Sequence, residues 1–146
     1  MIESKDRIAR ASTTIHAPVE DVWDALIDPE KIKQYYFGAT ILTDWREGNP
    51  IVWKGEWDGQ TYEDKGHIMR VVPGQTLQYS HFSPLIGQDD KPENYHVITI
   101  ELDNQGEETK VTLSQDNNPS EEDRQHAEAN WNMMLCNLKR VVEGQR

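Results

Sequence analysis

The chain has 146 residues, 36% hydrophobic and 28% charged, with a formal net charge of −11. That length suits one domain with a real core. The acidic balance excludes a nucleic-acid backbone as partner and disfavours an anionic membrane surface, since both call for clustered Lys and Arg. No run approaches the roughly 18 apolar residues of a membrane-crossing helix. A single cysteine, Cys136, excludes an internal disulfide and a cysteine-based zinc cluster. The opening residues Met1-Ile2-Glu3-Ser4-Lys5-Asp6 hold no apolar run of the secretory kind. A single globular domain over residues 1–146, located in the cytoplasm, is expected.

In chain order, alternation over residues 7–16 predicts a strand. Pro18 then opens a helix whose apolar face is Val19, Val22, Trp23 and Leu26, at i, i+3, i+4 and i+7. Asp28-Pro29 ends it, because the residue before proline avoids the α region. A second short helix is predicted over 30–35. Strands follow at 39–43, 51–57, 63–72, 77–82, 95–102 and 109–115. They are separated by turn chemistry at Asp58-Gly59, Pro73-Gly74 and Asn104-Gln105-Gly106, and by a loop over 83–94. Ser120, with Asp123 three residues on, caps a closing helix whose apolar stripe is Ala127, Trp131, Met134, Leu135, Leu138, Val141 and Val142. About 24 residues at ~1.5 Å each make a helix of roughly 36 Å, long enough to cross a sheet.

This order resembles the helix-grip fold of the START-like (SRPBCC, birch-pollen-allergen-like) superfamily. The expected architecture is α+β: a curved antiparallel sheet of six or seven strands around a long C-terminal helix, with two short helices after the first strand. The motif from Ala17-Pro18-Val19 through Val22-Trp23-Asp24-Ala25-Leu26 to Asp28-Pro29-Glu30 resembles one branch. That branch is homologous to activators of the ninety-kilodalton heat-shock-protein ATPase. Gly66-His67-Ile68 with Pro73 and Leu77, the run Thr109-Lys110-Val111-Thr112-Leu113, and the late helix with Trp131 and Leu138 extend the match. The resemblance implies an apolar or amphipathic cavity between sheet and helix. Where many members carry Gly-Gly before the third strand, this chain has Arg46-Glu47-Gly48-Asn49-Pro50, so the wall there is expected to differ in shape.

Strand parity sorts the inward side chains. The expected inner sets are Ile51, Trp53 and Trp57; Leu77, Tyr79 and His81; His96, Ile98, Ile100 and Leu102; and Val111, Leu113 and Gln115. Parity in 63–72 is ambiguous, because Ile68 and Val71 point to opposite faces. In an antiparallel meander His81, His96 and Gln115 collect at one rim, where His67 could join them. The expected ligand-binding residues are Trp53, Trp57, Tyr79, His81, His96, Gln115, Trp131 and Met134. If Trp131 borders a cavity, its truncation should cost about 1–2 kcal/mol rather than the ~3–5 kcal/mol of a packed core aromatic, for which Trp23 is the control. Cys136 is read as a small buried thiol without a base.

No metal, cofactor or catalytic residue is expected, because no metal-ligand spacing, nucleophile elbow, phosphate loop or dinucleotide fingerprint is present. The acidic first turn of the last helix needs no role beyond its helix dipole. Three functions remain open. The first is binding of a small apolar or amphipathic molecule. The second is a cyclase- or dehydratase-like enzyme using the same cavity through His81 or His96. The third is a stress protein that contacts a chaperone. Oligomeric state is not legible.

Overall fold

The computed structural model describes residues 4–84 and 89–144; the side chain of Trp57, and residues 85–88 within the expected 83–94 loop, lie outside the described residues. The elements are β1 (Ala9–Ile15), α1 (Val19–Ile27), α2 (Pro29–Tyr35), β2 (Thr40–Leu42), β3 (Pro50–Trp57), β4 (Gln60–Val72), β5 (Thr76–His81), β6 (His96–Asn104), β7 (Thr109–Gln115) and α3 (Glu121–Glu143). One seven-stranded sheet runs β1-β7-β6-β5-β4-β3-β2, with every neighbouring pair antiparallel. This is the α+β helix-grip arrangement. A 3-10 turn, Pro92–Asn94, lies in the stretch expected to be a loop.

Local chemistry sets the boundaries. Pro18 is extended (φ −64°, ψ 156°) and stands just before α1 rather than in its first turn. Asp28 ends α1 and starts α2, its Oδ1 accepting the Glu30 amide at 3.0 Å. Asp58 and Gly59 both take positive φ, 52° and 79°, so Trp57 pairs with Gln60 across a two-residue hairpin. Ser120 Oγ accepts the Asp123 amide at 3.0 Å, and α3 runs for 23 residues behind that cap.

The ambiguous strand has a physical resolution. The register of β4 on β5 shifts between Ile68 and Arg70. This β-bulge turns both Ile68 and Val71 toward the interior despite their opposite parity. A Cβ at Gly66 would lie 1.8 Å from the Ser80 carbonyl oxygen, so β4 can cross β5 this closely only with glycine there. The Arg46–Pro50 stretch lies along the same bulge. Gly48 N donates to Ile68 O (2.7 Å), Ile68 N to Asn49 O (2.9 Å), and Val71 N to Glu47 Oε2 (2.9 Å).

The core lies between the concave face of the sheet and the helices. Trp131, Met134, Leu135, Leu138 and Val142 of α3 join one cluster with Ile98, Ile100, Val111 and Leu113 of the sheet and Ile32 and Tyr35 of α2. Trp23 is not a core residue: it is half-buried at the edge of the α1 face formed by Val22, Ala25 and Leu26. Cys136 is exposed rather than buried, its sulfur 3.4 Å from Arg140 Nη2 on the solvent side of α3. No described helix is long and apolar enough to cross a membrane.

Candidate functional site at the sheet rim

Pairing in the sheet carries one row of inward residues across four strands. Trp53 on β3 is the register partner of Asp64 on β4, and His81 on β5 is the partner of His96 on β6. The middle of the row is joined by His81 Nε2 and Asp64 Oδ2 at 2.9 Å. A carboxylate only accepts, so His81 Nε2 carries the hydrogen. Both side chains are largely enclosed, 19% and 14% exposed. The second oxygen, Asp64 Oδ1, is buried and has no hydrogen-bond partner among the described residues. Aromatic rings frame the pair. Trp53 meets His81 edge-on at 4.9 Å and Tyr79 at 5.3 Å, while His96 stacks beside His81 at 6.4 Å.

His96 Nδ1 lies 2.9 Å from the Asp116 carbonyl oxygen, so Nδ1 donates and Nε2 is bare in the neutral ring. Burial holds the His96 imidazole below its ordinary range, helped by neighbouring His81 and opposed by the Asp116 carbonyl. Tyr62 belongs to the same inward set of β4. Its ring lies over Gly55, where an added Cβ would stand 2.5 Å from the phenol oxygen.

On the helix side, Trp131 is bonded to the inner face of β7. Its Nε1 donates to Gln115 Oε1 at 2.7 Å, Gln115 Nε2 donates to Asn118 Oδ1 at 3.2 Å, and Asn118 Nδ2 donates to Arg7 O at 2.8 Å. This chain of amides ties α3 through β7 to the approach to β1. Asn118, 1% exposed, is satisfied within it. Tyr36, after α2, meets Trp131 edge-on at 6.1 Å. Its hydroxyl is held neutral far above the usual phenol range, by burial first and then by the nearby Tyr79, Asp64 and Tyr62. Tyr36 thus stands between Trp131 and the Asp64 side of the rim.

The space behind this rim is small. A void of about 20 Å³ is lined by Tyr35, Tyr36, Trp45, Trp53, Tyr79 and Met134, among others. That is room for about one water. Among the described residues, the aromatic side chains of α2, β3 and β5 fill the space behind the rim where a roomy cavity is expected. Trp131 does not line the void and is 9% exposed, which places it with packed core residues rather than at a cavity wall. An open surface groove of about 910 Å³ lies elsewhere, between α1 and the β4–β5 turn. It gathers Trp23, Leu102 and several surface carboxylates, and it contains none of the inward row.

Of the expected site residues, Trp53, His81 and His96 stand together in the row. Tyr79 lies against Trp53, and Gln115 sits one pair inward of His96, bonded to Trp131. Met134 lines the void. His67 does not join them; it is exposed on the outer face. Asp64, Tyr62 and Tyr36 are the residues that sequence reasoning missed. Among the described residues no group of three or more His, Cys, Asp or Glu is placed to hold a metal ion.

A curved antiparallel sheet gripping a long helix, with a polar row at its rim, defines a START-like helix-grip protein. Residues 16–143 match the family described as activator of Hsp90 ATPase homolog 1-like protein, and the chain belongs to that family. It is similar over 94% of both chains to a Cytophaga hutchinsonii protein solved in solution, at 54% identity and TM-score 0.82. A Chromobacterium violaceum protein superposes with TM-score 0.80 at 22% identity, over 94% of this chain and 97% of that one. The Aha1 dimer from Colwellia psychrerythraea does so with TM-score 0.71 at 18% identity, over 93% and 96%. No curated protein matches the chain.

Proposed function

We propose that the protein binds a small amphipathic molecule between the rim of the sheet and α3. One observation carries this: the row Trp53, Asp64, His81 and His96 aims polar groups inward, where a purely structural core would hold hydrocarbon. Apolar walls with a few convergent polar groups are what a small-molecule site needs. The void of about 20 Å³ adjoins this row at Trp53 and Tyr79. Entry requires Tyr36 and Trp131 to part, a change of side-chain rotamers of the kind common on binding.

The test is a titration of the protein with 1-ethylnaphthalene, a neutral apolar probe, followed by tryptophan emission. Native mass spectrometry of freshly purified protein accompanies it. Saturable binding that weakens in Trp53→Ala is expected. Unsaturable binding, or binding indifferent to Trp53→Ala, overturns the proposal. The bare Nε2 of His96 beside the Asp64–His81 pair favours a second reading, acid–base chemistry on the bound molecule. Release of a chemically altered molecule distinguishes it from simple binding.

A further inference from the structure

We propose that Asp64 is the polar anchor of this site and that the molecule it takes is an aromatic or alicyclic ammonium, with the N–H on Asp64 Oδ1 and the apolar body among the rim rings. The inference rests on the rim being a binding site and adds the chemical class of what binds. Among the described residues, the buried Asp64 Oδ1 has no hydrogen-bond partner, whereas Oδ2 is engaged by His81. A buried carboxylate oxygen left unpaired is costly, so a donor that reaches it gains more than it would at an exposed carboxylate. His81 cannot serve both oxygens through the one nitrogen that reaches Asp64, and it fixes the carboxylate with Oδ1 left over.

The surroundings select a cation over a neutral donor. Trp53 is the direct cross-strand neighbour of Asp64, and Tyr62, two residues before Asp64 in β4, faces the same way over Gly55. Ring faces attract an ammonium and do nothing comparable for a hydroxyl. Of the titratable groups facing the carboxylate, neither His96 nor Tyr36 opposes that charge. His96 is held neutral by burial, Tyr36 is held neutral far above its usual range, and His81 already turns its hydrogen to Oδ2. Lys65, the cation adjacent in sequence, is on the opposite face of β4, where it pairs with Asp90. An anionic ligand would instead meet the like charge of the Asp64 carboxylate.

The experiment compares three probes of one shape at about 0.15 M salt, where long-range attraction by the net charge is largely screened. They are 1-naphthylmethylammonium, the neutral isostere 1-ethylnaphthalene and the anion 1-naphthylacetate, each titrated by calorimetry and tryptophan emission. The ammonium should bind about tenfold or more tighter than 1-ethylnaphthalene, and the anion weaker than both. Asp64→Asn should bring the ammonium and neutral probes to within about twofold. Glu101→Gln, which removes an exposed carboxylate from the outer face of β6, should leave the preference in place. Far-UV circular dichroism and thermal unfolding check that Asp64→Asn is folded; Asp64→Glu, which keeps the charge and moves it, should lower the preference without abolishing it. Equal affinity for the ammonium and neutral probes overturns this inference alone. So does a preference that survives Asp64→Asn or is lost equally in Glu101→Gln. Binding of none of the three overturns the proposed site as well.

Discussion

Trp131 offers the sharpest energetic test, because its ring and its N–H are anchored separately. The ring is 9% exposed and meets Tyr36 at 6.1 Å; the N–H donates to Gln115 Oε1 at 2.7 Å. Since Trp131 does not border the void, Trp131→Ala should cost the ~3–5 kcal/mol of a packed aromatic, and not the smaller loss of a cavity-lining one. Trp131→Phe separates the hydrogen bond from the packing. It keeps most of the ring but leaves Gln115 Oε1 without its donor, at about 1–3 kcal/mol. Gln115→Leu leaves both the Trp131 N–H and Asn118 Oδ1 unpaired, with a loss in the same range.

The double variant Trp131→Phe/Gln115→Leu removes both partners of the 2.7 Å bond, so only Asn118 Oδ1 stays orphaned. It should be more stable than the two single losses added together, by about 1 kcal/mol or more. Urea unfolding of the four proteins measures this, with Trp23→Ala as a half-buried comparison expected to lose less than Trp131→Ala. Strict additivity in the cycle, or a Trp131→Ala loss below about 1.5 kcal/mol, would refute the placement of Trp131 as a hydrogen-bonded core residue.

Two further outcomes follow from the geometry. The native state holds His96 neutral below its ordinary value of 6.5, so as pH falls below that value the unfolded chain takes up a proton that the folded chain refuses. His96 is therefore neutral toward stability above that pH and lowers stability below it, with a slope of up to about 1.4 kcal/mol per pH unit until the folded value is reached. Thermal unfolding from pH 7 to 5 should fall more steeply for the parent than for His96→Gln; parallel curves would contradict the assignment. Gly66→Ala places a Cβ on the Ser80 carbonyl, which is backbone and cannot move aside. It should cost about 2–3 kcal/mol in urea unfolding, whereas Gly55→Ala should cost less because it meets the movable end of Tyr62.

How much could be read without coordinates depended on what each signal encodes. Element order, the Asp58-Gly59 hairpin, the Ser120 cap and the meeting of His81 with His96 all rest on local periodicity and turn chemistry, which a sequence displays directly. Asp64 was hidden by the bulge in its own strand. With Ile68 and Val71 both inward, neither parity could be assigned, and the correct one would have put Tyr62 and Asp64 on the inner face beside Trp53. Asn118 reads as a turn residue before a helix, yet it is buried because it bonds Arg7, 111 residues away. The aromatic excess suggested an open pocket. The same rings are large enough to fill the space they line, and only packing in three dimensions distinguishes the two. Cys136 lies one position beside the α3 stripe and Trp23 at the edge of the α1 stripe, where helical periodicity alone does not decide burial.

The most direct test of the rim site is a nitrogen-15 correlation spectrum recorded with increasing 1-naphthylmethylammonium. Shifts are predicted in the indole N–H signals of Trp53 and Trp131 and in the imidazole nitrogens of His81 and His96, saturating together, while the Trp23 indole in the open groove stays fixed. Saturable shifts centred on Trp23, with the signals of the row unmoved, would contradict the account.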